Sequence, residues 1–159
     1  MNAFRPVLAA LFAACATAAN AGDAKGTLTL AGTTIQLNAA VALRIDSGNE
    51  PTTLVLLSEK PIDVKAALAT DEPYVALLND PALDAVTHAA VLVGSTRTSI
   101  YAHKAGDSTQ YLASRKLGLE ATVSGGDGTP MKGRLRSTDA QMSVQIDAEF
   151  SADITKPGA

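Results

Sequence analysis

The 159-residue chain carries 13 Lys and Arg against 16 Asp and Glu, a formal net charge of −3, no tryptophan and only 4% aromatic residues. A mildly acidic chain without a basic block excludes nucleic acid as an expected partner, and so few rings exclude base-stacking and sugar-stacking platforms. The single cysteine, Cys15, excludes an internal disulfide.

Met1 to Pro6 holds one cation, Arg5, and the short apolar run Val7-Leu8-Ala9-Ala10-Leu11-Phe12-Ala13-Ala14 follows it. Small residues then end in Ala19-Asn20-Ala21, the A-x-A form of a signal-peptidase site. The apolar run is too short to span a bilayer. The expectation is a cleaved signal peptide over 1–21 and export of a single β domain over 22–159, periplasmic or secreted. A second reading stays open, because Phe12-Ala13-Ala14-Cys15 also has the form of a bacterial lipobox. Lipidation at Cys15 would make the product a lipid-anchored outer-membrane protein, the one route by which a membrane would be a partner.

Thr27-Leu28-Thr29-Leu30 alternates, Ala31-Gly32 is a tight link, and a long strand begins at Thr33. Pairing Leu30 with Thr33 puts Leu28 opposite Ile35 and keeps the apolar residues together. Along this strand Ile35, Leu37, Val41, Leu43 and Ile45 share one parity, and Gln36, Asn38, Arg44 and Asp46 share the other. That two-residue period predicts one buried face and one wet face. Ser47-Gly48-Asn49-Glu50-Pro51 turns the chain into Thr52 to Ser58, which is apolar on both parities and therefore expected to be covered on both sides.

Between residues 61 and 87 the period changes. Asp63 to Ala69 is alanine-rich behind a capping residue, and Asp71-Glu72-Pro73 and Asp80-Pro81 repeat the signal of acid then proline. Two or three short helical turns are expected, covering one open end of the sheet. Strands resume at Ala89 to Val93 and Thr98 to Lys104, followed by a weakly patterned stretch to Ser114. Leu117 to Val123 alternates, Ser124 to Pro130 turns, Met131 to Arg136 alternates, and Met142 to Ile154 alternates without a break. A four-residue loop, Thr138 to Gln141, would pair Leu135 with Val144 and Lys132 with Asp147. About eight or nine strands of this length must coil or bend. The fold class is mainly β, an antiparallel meander closing into a barrel, with a two-sheet β-sandwich as the alternative.

The order Gly26-x-Leu28-x-Leu30-x-Gly32, a long strand with a small-residue centre, the stretch Glu50 to Pro61 and a closing alternating strand resembles small secreted all-β proteins of Gram-negative bacteria. The resemblance covers most of the chain after the leader. It rests on structural residues, so it implies export and fold, and the group has no assigned activity to carry over.

Chemistry-bearing residues are sparse. His88 and His103 are the only histidines, and a metal site would need both joined by an acid such as Asp107, so none is expected. Ser95 in Gly94-Ser95-Thr96-Arg97 lacks the second glycine of a nucleophile elbow. Gly125-Gly126-Asp127-Gly128 resembles one unit of a calcium-binding repeat, but such units act only when stacked, and a turn needing positive φ explains it. No catalytic set and no cofactor are implied.

The candidate binding residues are Tyr101 and His103 on one strand face with Tyr111 nearby, which would line a mouth if the barrel is open there and otherwise form a partly buried aromatic edge, the simpler explanation, and the basic stripe Lys132, Arg134 and Arg136. For the stripe, cross-strand pairing with Asp147 and Glu149 is the simpler explanation. The composition therefore points to an exported, non-catalytic binding or protein-interaction domain, its partner a protein or a small apolar ligand. The alternatives are an inhibitor or protective protein for a periplasmic hydrolase that inserts an edge strand or a loop such as Ser95 to Arg97, a hydrolase assembled by the fold, and a lipid-anchored envelope structural protein.

Overall fold

The computed structural model describes residues 22–47, 50–95, 97–107, 109–126 and 128–156. Residues 1–21 with Cys15, Gly48, Asn49, Thr96, Ser108, Asp127 and residues 157–159 lie outside them, and so do the expectations that fall there.

Ten strands form one sheet: β1 (Gly22–Leu30), β2 (Thr33–Ser47), β3 (Glu50–Ser58), β4 (His88–Val93), β5 (Thr98–His103), β6 (Gln110–Ser114), β7 (Leu119–Gly126), β8 (Thr129–Ser137), β9 (Val144–Ala152) and β10 (Ile154–Thr155). Their order is β6-β5-β4-β3-β2-β1-β9-β8-β7, antiparallel throughout, while β10 lies parallel to β2. The first strand by sequence, β1, and the last long one, β9, are thus neighbours in mid-sheet. The sheet curls until its two ends, β6 and β7, approach without pairing, joined by a 3-10 turn at Arg115–Leu117. The result is the expected antiparallel barrel, left open along one seam.

The first hairpin has the register that its alternation demands, Leu30 opposite Thr33 and Leu28 opposite Ile35. Ala31 and Gly32 both have positive φ, 45° and 77°, as a two-residue turn matching strand twist requires. Gly125, Gly126 and Gly128 likewise have positive φ in the β7–β8 turn.

The interior is filled by large and small side chains in alternation. Leu28, Leu37, Leu57, Ile100, Leu135 and Phe150 occupy it together with Ala40, Ala42, Ala89, Ala102 and Ala113. Small residues facing large ones let strands of this number close around a narrow, packed centre. At Gly133 the ring of Phe150, its partner across β8 and β9, lies where a β-carbon would stand.

Strand β2 departs from the single-face expectation. The β1–β2 register slips between Asp23 and Gly26, and the inward set changes from Ile35 and Leu37 to Ala40 and Ala42. Val41, Leu43 and Ile45 therefore belong to a second core on the outside of the barrel. A one-residue slip moves every later side chain to the other face, and alternation alone cannot reveal it where the residues around the slip are alanines.

That outer core is closed by α1 (Lys65–Leu68), α2 (Pro73–Leu78) and α3 (Pro81–Asp84). Asp80 caps α3, its Oδ1 accepting from Ala82 N at 2.8 Å, and proline opens both α2 and α3. Helices this short are unstable alone. Their stability comes from burying Val64, Ala67, Leu77 and Leu83 on Leu43, Leu54 and Leu56, roughly 1.5–3 kcal/mol for each large side chain. They cover the outer face of β2, β3 and β4, and not the barrel end that was expected. This explains why β3 is apolar on both parities: Val55 and Leu57 face inward, Leu54 and Leu56 face the helices.

The last hairpin also differs from the expected register. Leu135 pairs with Ala148 and Arg136 with Asp147, so the connection is longer than four residues. Asp139 accepts from Gln141 N at 2.8 Å, and Thr138 binds Gly118 O through both N and Oγ1, at 2.8 and 3.0 Å. These local bonds hold 138–143 as a loop over the β6–β7 link. Either register keeps one parity apolar, so alternation could not choose between them.

Candidate functional site

The outer face of the sheet beyond the helices is read most simply in rows of cross-strand partners. One row runs Leu56, Ala90, Tyr101, Leu112. The next runs Ser58, His88, His103, Gln110. Helices α2 and α3 cover the β3 end of these rows but not the β5 and β6 end, and a cleft of about 290 Å³ lies between. Its apolar walls include Leu54, Leu56, Leu77, Leu83 and Leu92, Tyr74 and Tyr101 stand beside it, and His88, His103 and Gln110 supply its polar side.

The distribution of exposed apolar side chains singles out this cleft. Among the described residues six large apolar side chains are exposed: Tyr74, Val75, Leu78, Tyr101, Leu112 and Leu117. Tyr74, Leu78 and Tyr101 line the cleft, Leu112 is the cross-strand partner of Tyr101, and Val75 is on the same helix as Tyr74 and Leu78. Exposed apolar surface gathered in one place, rimmed by polar groups, marks a binding surface.

The two histidines, distant in sequence, are direct cross-strand partners with ring centroids 5.2 Å apart. His88 Nδ1 donates to Val86 O at 2.8 Å, and His103 Nε2 donates to Asp84 O at 3.0 Å. Burial pushes the His88 pKa below its ordinary value against the opposing pull of the Val86 carbonyl, and the neighbouring His103 adds to the lowering while Asp84 opposes it. Because folded His88 prefers to be neutral, the unfolded chain binds the extra proton first. Stability should therefore be complete above the unfolded histidine pKa of about 6.5 and decline as pH falls from there toward the lower folded value. Urea midpoints measured from pH 8 to pH 5 should show the decline, and His88→Phe should flatten that part of the curve.

Of the residues proposed from sequence, Tyr101 and His103 share one face of β5, on the barrel's outer wall and not at a mouth. Tyr111 is separated from them. It packs against the inner core, and its hydroxyl donates to Asp107 Oδ2 at 3.3 Å. Desolvation first, and then the Asp107 charge, raise the Tyr111 pKa, whereas the Thr109 N–H holds that of Asp107 down.

Lys132, Arg134 and Arg136 are exposed on β8, far from the cleft residues in strand order. Arg134 bridges Asp147 and Glu149, both at 2.6 Å, which is the cross-strand pairing foreseen for the stripe. All three side chains are about half exposed or more, at 49%, 57% and 64%. Solvent screens such pairs, so Arg134→Ala should change stability by no more than about 1 kcal/mol, checked by urea denaturation.

Ser95 lies between β4 and β5, and its neighbour Thr96 is outside the described residues. No group of three His, Cys, Asp or Glu side chains that could hold a metal ion is found among the described residues, and none of their helices is long and apolar enough to cross a membrane.

Sequence reasoning missed Tyr74, Leu77, Leu78 and Leu83. The chain matches no protein-family model, no curated protein and no solved structure.

Proposed function

We propose that this chain is an exported, non-catalytic binding domain and that its ligand is a small apolar molecule held in the cleft between β4–β5 and α2–α3. The observation that carries the reading is the gathering of Tyr74, Leu78, Tyr101 and Leu112, left exposed around one leucine-lined cleft. At about 290 Å³ the cleft stands at the lower edge of the usual ligand-pocket range of roughly 300–1,000 Å³, a size for a small molecule. Export is supported by Arg5, the apolar run Val7 to Ala14 and the Ala19-Asn20-Ala21 cleavage pattern.

Titration with the neutral fluorophore N-phenyl-1-naphthylamine tests the reading. Saturable one-site binding is expected, lost in Leu78→Asp and Tyr101→Asp variants whose circular dichroism and melting temperature match the parent. Absence of saturable binding, or binding that both variants retain, would defeat it. Capture of a protein that the same two variants fail to capture, with no fluorophore bound, would replace the small molecule by a protein partner.

A further inference from the structure

The His88–His103 pair specifies the head group of the ligand, an inference that rests on the cleft being a ligand site. A backbone carbonyl can only accept a hydrogen bond, so the contact of His88 Nδ1 with Val86 O places an N–H on Nδ1. The contact of His103 Nε2 with Asp84 O places an N–H on Nε2. A neutral imidazole carries a single N–H, and its other nitrogen is then an acceptor. In its neutral form each ring has thus committed its donor to the protein. What remains, Nε2 of His88 and Nδ1 of His103, is acceptor capacity, and both rings line the cleft.

We propose that the cleft binds a small uncharged amphiphile whose apolar body lies along the leucine wall and whose hydroxyl donates to the His88–His103 pair. The row structure gives the orientation. Ser58, His88, His103 and Gln110 form one polar row, and Leu56, Ala90, Tyr101 and Leu112 form the apolar row beside it. A molecule with one donor end and an otherwise apolar body matches both rows at once. Burial lowers the His88 pKa, which favours the neutral ring with its acceptor over the cation that a carboxylate would need. The Ser58 hydroxyl is already directed to Lys60 O at 2.6 Å, so it does not compete as a donor to the ligand.

Displacement of N-phenyl-1-naphthylamine at pH 8 by 1-octanol, octyl methyl ether and octanoate separates the possibilities. The alcohol and the ether share an apolar body and differ in whether the head can donate. One hydrogen bond to an acceptor that a bound ether would screen from water without replacing it should favour the alcohol about five- to tenfold. His103→Leu and His88→Leu should each pull the ratio of alcohol to ether toward one, the ratio being taken within each variant so that a change in overall cleft affinity cancels. The half-buried His103 site keeps the test decisive if the buried His88 variant does not fold. Equal displacement by alcohol and ether in the parent protein would overturn the donor-head assignment while sparing the cleft. Tightest binding by octanoate would overturn it in favour of an anion site. Failure of all three compounds, together with failure of the fluorophore, would remove the cleft reading itself and the head-group assignment with it.

Discussion

Gly26→Ala should destabilise the protein by several kcal/mol, on the order of 3–5, enough to unfold much of the population of an ordinary domain. Gly26 has φ +144°, in β1 at the point where its register with β2 slips. A β-carbon there would run into the carbonyl oxygen of Asp147 and come within 2.6 Å of Ala148 Cα, both backbone atoms of β9. No rotamer change can relieve a collision with backbone, so either the slip or the β1–β9 pairing must give way. Gly32→Ala is the internal control. Gly32 also has positive φ, 77°, but a β-carbon would meet nothing within 4 Å, so only the conformational term of about 1 kcal/mol should appear. Urea denaturation of the two variants measures the difference, and equal losses would show that the close approach of β1 to β9 is not what fixes the glycine.

The second large effect is expected at Leu57→Ala, a loss of about 4–5 kcal/mol, toward the top of the range for such truncations. Leu57 is fully buried, and its cross-strand neighbours in the barrel interior are Ala40 on one side and Ala89 on the other, with Ala102 next in the row. Leu57 is flanked by alanines on both sides, the next large side chain of the row being Tyr111 beyond Ala102, and alanines are too short to move into the space left behind. A cavity that cannot collapse carries the full cavity cost. Leu77→Ala, at the equally buried anchor of α2, should cost less, about 2–3 kcal/mol, because a six-residue helix can shift toward the gap. Hydrogen exchange should distinguish the two. Leu57→Ala should lower protection across the sheet, and Leu77→Ala should lower it chiefly in 65–84 and weaken cleft binding.

The strands and turns were legible because they depend on local rules. Ala31-Gly32 specifies a two-residue hairpin, and the glycines at 125, 126 and 128 specify the β7–β8 turn. Proline after an acid marks α2 and α3, although Glu72 makes no side-chain cap and only Asp80 does. What escaped depends on which face a residue meets. Ala39, Ala40 and Ala42 carry no polarity signal, so nothing local marks the face change in β2. The β8–β9 register was misjudged because every even offset preserves the apolar face, and only the bonds within 138–143 select one. The cleft was half visible. Tyr101 and His103 could be assigned to one face by parity, but pairing with His88 needs the β4–β5 register, and the walls come from helices whose docking site no periodicity specifies.

The placement of β1 between β2 and β9 has a consequence for how the molecule is made. Asp23 pairs with Ser151 and Leu30 with Val144, so the opening strand waits for nearly the whole chain before its second ladder can form. Until β9 arrives, β1 and β8 are raw edges, able to pair with whatever strand is close, including another nascent copy. Long-range closure of this kind slows folding, since the loop entropy must be overcome before the contacts that reward it exist. Truncation after β8 should therefore leave a sticky half-barrel rather than a smaller stable one. A chain delivered from its N-terminus can complete its fold only once β9 is free.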